Sequence, residues 1–160
     1  PKVLDVVRDA MSDESEDVRA AAVETLRFVK DPAVQKILAQ GLADASDDVH
    51  DAVFEVVETQ PDSTKYPVLR QGIQTGNPDV ASDAITMLED ASSHAAMEIL
   101  IEAMGSSNED IRDEAASAIE FLVSEVFENQ AEAKAWWQAN KASLDGELMR
   151  KKATAVDSWK

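Results

Sequence analysis

The residues that could do chemistry are few and scattered. The chain has two histidines, His50 and His94, among its 160 residues, and it has no cysteine. Without cysteine there can be no disulfide, no Cys-ligated zinc, no iron–sulfur cluster and no thiol nucleophile. No Gly-x-Ser-x-Gly turn accompanies the histidines, so a hydrolase triad lacks a recognisable nucleophile. We therefore predict no catalytic residues and no cofactor, and we do not expect an enzyme.

The strongest metal-binding candidate is the run of carboxylates and imidazole from Asp47 to Asp51, with His50 as its fourth residue. This run lies at a predicted helix N-terminus, where the helix dipole favours acidic residues without any metal. His94 and Glu98 lie one helical turn apart, but the further ligands of a zinc site are missing. We therefore predict no metal site.

Charge and hydropathy narrow the class of partner. The chain carries 32 acidic and 15 basic residues, a formal net charge of −17. DNA and RNA are bound through basic surface, so we predict no nucleic-acid partner. No apolar run reaches the length of a membrane-spanning helix, which is about 18 residues or more, and no signal-peptide pattern is present. We expect no membrane contact and a cytoplasmic protein that is a monomer or a fragment of a longer chain.

The elements that must position any functional surface follow a repeat of 31 residues. Two residues before each repeated Asp there is a Ser or Asn, and Glu, Asp or Pro follows it. A capping side chain, then an acid or proline, is typical of a helix start. The four repeated tripeptides are Asp17-Val18-Arg19, Asp48-Val49-His50, Asp79-Val80-Ala81 and Asp110-Ile111-Arg112.

Apolar residues recur with helical spacing on both sides of each tripeptide. After it they stand at i, i+4 and i+8, as in Val49, Val53 and Val57. Before it a second apolar row has the same register, and it includes one small residue per repeat, which suggests close helix packing. The small residues are Ala10, Gly41, Gly72 and Ala103. The predicted helix pairs are 2–12 and 16–29, 32–43 and 47–59, 64–74 and 78–90, and 93–104 and 109–125.

These patterns predict an all-α fold, an α-α superhelix of four two-helix repeats followed by C-terminal capping helices. The repeats occupy about 1–30, 31–60, 61–91 and 92–125, which makes 1–125 the repeat region and 126–160 a helical cap or extension. Neighbouring helix pairs must stack, because one pair cannot bury its apolar rows alone. A plain helical bundle is the alternative, but a register without insertions across the four repeats favours the solenoid.

In the repeats a Ser or Asn is followed by Asp-Val-Arg or a similar tripeptide, and then by Ala and Leu at helical spacing. This order of residues resembles HEAT repeats, and more narrowly the short HEAT-like units of phycocyanobilin lyase subunits. The resemblance implies an armadillo-like solenoid that acts as a protein-binding scaffold, with an accessory subunit of a bilin-lyase-type enzyme as the alternative. It also implies a ladder between an Asp in each turn and the Arg after Val. The candidate pairs are Asp13 with Arg19 and Asp44 with His50.

In HEAT-type solenoids the second helix of each pair, the B helix, lines the concave side. Of the twelve predicted solvent-facing positions on the B helices, seven are acidic and one is basic. The sequence therefore predicts an acidic face that binds a protein or a basic peptide, or alternatively a face that is merely solvated. The partner-binding candidates on this face are Asp51, Glu55, Glu58, Glu89, Asp113 and Glu120.

The C-terminal stretch departs from the repeat and contains all three tryptophans, Trp136, Trp137 and Trp159. It reads as two helices, 131–141 and 147–156. A bulky Trp suits the cap of a solenoid, which is the favoured interpretation. A docking surface anchored by Trp is the alternative, because Trp is enriched at binding hot spots. Because adjacent Trp side chains cannot both face one core, Trp136 and Trp137 are added to the partner-binding candidates.

Overall fold

The computed structural model describes residues 2–144, which form α-helices and two short 3-10 helices and contain no strand. The predicted all-α fold is confirmed. The predicted helix 147–156 and Trp159 lie outside the described residues.

The helices alternate with short turns along the chain. Their bounds are α1 Lys2–Ala10, α2 Glu16–Glu24, α3 Val34–Gly41, α4 Asp47–Glu58, α5 Asp62–Gln74, α6 Pro78–Ala91, α7 His94–Ala103, α8 Glu109–Val123 and α9 Gln130–Asn140. The 3-10 helices are Thr25–Phe28 and Lys141–Ser143. The four B helices α2, α4, α6 and α8 begin at or within one residue of the predicted positions.

The predicted helix 16–29 is wrong in its last turns, where the chain winds into the 3-10 helix Thr25–Phe28. There the Thr25 hydroxyl donates to the backbone carbonyl of Ala22 at 2.7 Å. Such a side-chain bond to a helix carbonyl competes with regular α-helical bonding. The helix therefore tightens by one turn before the chain enters α3.

The chain divides into two compact units, Pro1–Ala84 and Ile85–Lys160, with the boundary inside α6. In the first unit the helices stack in two rows, because α2 packs along α4 and α3 packs along α5. Its core is formed by fully buried aliphatic side chains such as Val23, Leu26, Leu38 and Val53. Each such side chain stabilises the fold by about 1.5–3 kcal/mol.

In the second unit α7 packs against both α8 and α9. Gln130, at the start of α9, donates to the backbone carbonyl of Ile101 at the end of α7, at 2.9 Å. Trp137, near the end of α9, meets His94 at the start of α7 with a ring-centroid distance of 5.1 Å. Helix α9 therefore runs antiparallel to α7, whereas a further repeat would place its first helix parallel to α7.

The small residues in the first helices lie where a B helix comes close. A Cβ placed on Gly41 would lie 2.5 Å from Cγ2 of Val53, and one placed on Gly72 would lie 3.3 Å from Cβ of Ala84. The preceding repeat is packed onto the same spot. Met11 Cε lies 3.7 Å from the Gly41 position, and Leu42 Cδ1 lies 3.7 Å from the Gly72 position.

We expect Gly41→Ala to lower the free energy of unfolding by about 1 kcal/mol. The clash with the stiff Val53 side chain, about 1–3 kcal/mol, outweighs the helix-propensity gain of about 1 kcal/mol. In a Val53→Ala background the same change should become stabilising, so a double-mutant cycle measured by urea unfolding should show coupling of about 1–3 kcal/mol.

The matched control for this cycle is Gly72→Ala, which faces the smaller Ala84. Its effect should be neutral or slightly stabilising, because the first and fourth repeats already carry alanine at both corresponding positions. Strictly additive Gly41 and Val53 effects would show that the contact does not set the approach of the two helices.

Candidate functional site

The four turns between the first and second helix of each repeat share one hydrogen bond. A side-chain oxygen accepts from the backbone N–H two residues later, the start of the B helix. The donor and acceptor pairs are Ser15 N to Asp13 Oδ1 at 2.9 Å, Ser46 N to Asp44 Oδ1 at 3.0 Å, Asn77 N to Thr75 Oγ1 at 3.3 Å and Asn108 N to Ser106 Oγ at 3.2 Å. Asp, Thr and Ser are thus equivalent in shaping the turn.

The predicted side-chain caps form at two of the four B helices, α6 and α8, and not at α2 and α4. Asn77 Oδ1 and Asn108 Oδ1 accept from Asp79 N and Asp110 N, at 3.0 Å and 2.9 Å. Ser15 and Ser46 hold the N-cap position but make no side-chain cap bond. The longer Asn side chain reaches the first free N–H of the helix, whereas in the serine turns the preceding Asp orders the backbone.

A mostly buried charged pair links the first two repeats. The Arg19 guanidinium donates through Nε to Asp44 Oδ2 and through Nη2 to Asp44 Oδ1, both at 2.8 Å. The expected pairing of Arg19 with the Asp13 carboxylate is wrong, because Arg19 Nη1 reaches only the backbone carbonyl of Asp13, at 3.0 Å. Likewise His50 Nε2 donates to the backbone carbonyl of Asp44, at 2.8 Å, and does not pair with its carboxylate.

The bidentate contact sets the protonation of Asp44. Hydrogen bonds from Arg19 hold the pKa of the Asp44 carboxyl below its ordinary value, and the Ser46 N–H adds to the effect. The hydrogen bond to Asp44 correspondingly raises the pKa of Arg19. The Arg19–Asp44 pair stabilises the fold, because both side chains are mostly buried and the Arg19 guanidinium and the Ser46 N–H both donate to Asp44 within the turn.

The acidic face of the first unit lies on α4. Asp51, Glu55 and Glu58 are all exposed, as predicted for solvent-facing positions. Glu55 accepts from Arg27 Nη2 at 2.8 Å, across the two repeats. Asp51 and Glu58 have no ion pair within residues 2–144.

The acidic residues of the second unit differ in their environment. Asp113 and Glu120 are exposed on α8, but Glu89 on α6 is partly buried. Burial raises the pKa of the Glu89 carboxyl, and the nearby charges of Asp90 and Glu114 raise it further. Glu89 is therefore less well placed than the exposed acids to meet a partner.

The two adjacent tryptophans have different surroundings. Trp137 is 2% exposed, and its Nε1 donates to Glu98 Oε1 at 3.3 Å. Trp136 is half-buried and packs against Phe127 with a ring-centroid distance of 5.6 Å. The Trp137 ring is thus buried in the contact between α9 and α7. Of the two Trp side chains, only Trp136 is accessible to a partner.

An apolar groove that the sequence did not single out lies between α1 and α2, with a volume of about 510 Å³. Its lining includes Val3, Val6 and Val18, which are 55%, 67% and 41% exposed. The repeat register placed Val6 and Val18 in the core, and this prediction is wrong for the first repeat. In the second repeat the corresponding Ile37 and Val49 are buried, because α2 packs along α4.

Two exposed phenylalanines were also missed. Phe28 is 86% exposed and Phe121 is 73% exposed, and they share one repeat position three repeats apart. An alignment of this position across the repeats would have identified both phenylalanines as exposed, because the position belongs to neither of the two apolar rows.

The described part of the chain meets neither of two structural requirements, a cluster of metal ligands and a membrane-spanning helix. No group of three or more His, Cys, Asp or Glu residues among residues 2–144 could hold a metal ion. None of the described helices combines the length and apolarity needed to cross a bilayer.

Comparison with known families gives one match. The family model of HEAT repeats matches residues 1–58, which cover the first two helix pairs. Residues 1–58 of this chain are HEAT-like repeats. Comparison with curated proteins gives no match. HEAT repeats generally mediate protein–protein interactions and are typically non-enzymatic scaffolds.

The Arg19–Asp44 pair between the HEAT-like repeats generates a pH prediction. Because the folded-state pKa of Asp44 is depressed, the pair contributes its full stability above the unfolded pKa, close to 3.8. That stability is lost as the pH falls from there through the lower folded-state pKa. We expect Asp44→Asn to lower the melting temperature by a constant amount between pH 5 and pH 8, with the difference shrinking below about pH 4.

Thermal unfolding followed by circular dichroism across this pH range is the measurement. Asp51→Asn, which removes an exposed carboxylate outside the turn, is the control and should leave stability nearly unchanged. A difference between wild type and Asp44→Asn that persists undiminished at the lowest pH would contradict the assigned role of the charge.

Proposed function

We propose that the chain is a non-catalytic interaction module that binds a basic segment of a partner protein through the exposed acids of its B helices. The observation that carries the proposal is the lack of neutralising bases on these faces. Of Asp51, Glu55, Glu58, Asp113 and Glu120, Glu55 alone forms an ion pair within residues 2–144. Charge complementarity of this kind steers association and selects partners by sign.

The position of these acids along the helices supports the proposal. The C-terminal end of a helix carries partial negative charge, which favours cations and disfavours acids by about 0.3–1 kcal/mol each. Yet the last turns of α4, α6 and α8 contain no basic residue. Glu55, Glu58 and Glu120 lie close to these ends. The faces therefore carry an electrostatic cost to stability that a bound cationic segment would relieve.

Nothing in the described residues favours the alternative of a bilin-lyase subunit. The groove between α1 and α2 is lined mainly by apolar side chains. Of its polar lining residues, Lys2 and Thr25, the Thr25 hydroxyl already donates to the Ala22 carbonyl.

The test compares three baits in salt-resolved pull-downs from the source lysate, with cross-linking to locate contacts. One bait is the wild-type chain. The second neutralises the face with Asp51→Asn, Glu55→Gln, Glu58→Gln, Asp113→Asn and Glu120→Gln. The third loses the same charge at helix N-termini, with Glu16→Gln, Asp17→Asn, Asp48→Asn, Glu109→Gln and Asp110→Asn.

We expect a salt-sensitive partner on the wild-type bait and on the N-terminal bait, and its loss from the face-neutralised bait. The face-neutralised chain should melt at the same or a higher temperature, because repulsion is relieved. The N-terminal bait should melt lower, because its first-turn acids complement the helix dipoles. A partner retained by the face-neutralised bait would contradict the proposal.

A further inference from the structure

The C-terminal end of α8 combines a cavity with an exposed aromatic ring. Ser117, Glu120, Phe121 and Ser124 line a cavity of about 470 Å³. Phe121 is 73% exposed. The helix ends at Ser124, whose φ of 57° is left-handed, and the Ser124 N–H donates to the Glu120 carbonyl at 2.7 Å. We call these four residues the α8 terminal site.

The electrostatics of the α8 terminal site favour a cation. Helix α8 ends here, so its partial negative charge and the Glu120 carboxylate lie together, and the last turn contains no basic residue. Asp113, two turns earlier, lies on the same stripe of α8 as Ser117, Glu120 and Ser124, because these residues are three or four positions apart. Glu120 has no ion pair within the described residues.

The first repeat shows what the α8 terminal site lacks. Phe28 holds the same repeat position as Phe121, and Arg27 holds the position of Glu120. The Arg27 guanidinium donates to Glu55 at 2.8 Å. The first two repeats therefore combine an exposed phenylalanine and a guanidinium from the first repeat with a carboxylate from the second. The α8 terminal site has the phenylalanine and the carboxylate but has no cation.

We propose that the α8 terminal site binds an arginine side chain from a basic segment of a partner protein. The guanidinium stacks on the Phe121 ring, pairs with Glu120 and lies at the negative end of the helix. Arginine fits better than lysine because its planar guanidinium both stacks on an aromatic face and presents a fork of donors to a carboxylate. This inference rests on the proposed function and assigns its recognition to four residues.

The test uses a short fluorescent peptide of Gly-Ser-Arg repeats as the probe, with Gly-Ser-Lys and Gly-Ser-Gln repeats as comparisons. Binding is measured by anisotropy, and the contact is mapped by amide chemical shifts in NMR. We expect the arginine peptide to bind more tightly than the lysine peptide, no binding of the glutamine peptide, and shifts centred on Ser117, Glu120, Phe121 and Ser124.

Two variants separate recognition from stability. Glu120→Lys should abolish binding of the arginine peptide while raising the melting temperature, because it places a cation at the negative end of α8. Phe121→Ala should weaken binding about fivefold, the size of one cation–π contact. The matched controls are Phe28→Ala, at the same repeat position, and Glu109→Gln, at the opposite end of α8. Both should leave the affinity within about twofold, since neither removes a contact worth more than a few tenths of a kcal/mol to the bound arginine.

When the wild-type chain binds the arginine peptide, three results would overturn the inference. These are unchanged affinity in Phe121→Ala, unchanged affinity in Glu120→Lys, and shifts confined to α4. A shift map on α4 would leave the proposed function standing, because the basic segment would then dock on Asp51, Glu55 and Glu58. A wild-type chain that binds no arginine peptide, yet loses its lysate partner on face neutralisation, would overturn the α8 terminal site alone. A different result contradicts the proposed function, namely a pull-down in which the face-neutralised bait still retains the partner.

Discussion

The close approach of the two helices in each repeat is the constraint on which the rest of the fold depends. At Gly41 and Gly72 a B helix comes so near that the space beside the backbone is already filled by Val53 and Ala84. The preceding repeat packs on the same spot through Met11 at Gly41 and Leu42 at Gly72. Burial of the apolar rows supplies the free energy of folding. The small residue in the first helix of a repeat decides how near the B helix can lie. Everything on the surface takes its position from that stacking.

The polar residues divide into two groups with different tasks. Asp44 and Arg19 are mostly buried, share a bidentate contact and hold two repeats together at a turn. The exposed acids of α4 and α8 form no comparable buried contact, and Glu55, Glu58 and Glu120 lie near the C-terminal helix ends, where the dipole disfavours acids. We propose that these acids and the exposed Phe121 serve binding, since the acids do not favour stability at these positions.

Sequence reasoning found part of the candidate surface and misjudged the rest for identifiable reasons. Helical angles placed Asp51, Glu58, Asp113 and Glu120 in solvent correctly, since an exposed face follows from the apolar row opposite. Glu89 and Trp137 have the right spacing for exposure, but neighbouring helices cover them partly or fully. The direction of α9, which buries Trp137 against α7, has no signal in the repeat pattern because α9 departs from the repeat.

The sequence by itself determined the all-α fold, the helix pairs and the starts of α2, α4, α6 and α8, because a 31-residue repetition of caps and apolar rows leaves little choice of local structure. The starts of α3 and α5 differ from the predicted ones by two residues. Tertiary structure decided which carboxylate meets Arg19, which Trp is buried and which first-repeat valines stay exposed. These outcomes depend on side chains from different helices meeting in space. Periodicity along one chain fixes the face on which a residue lies, but the distance to a residue on another helix depends on how the helices pack.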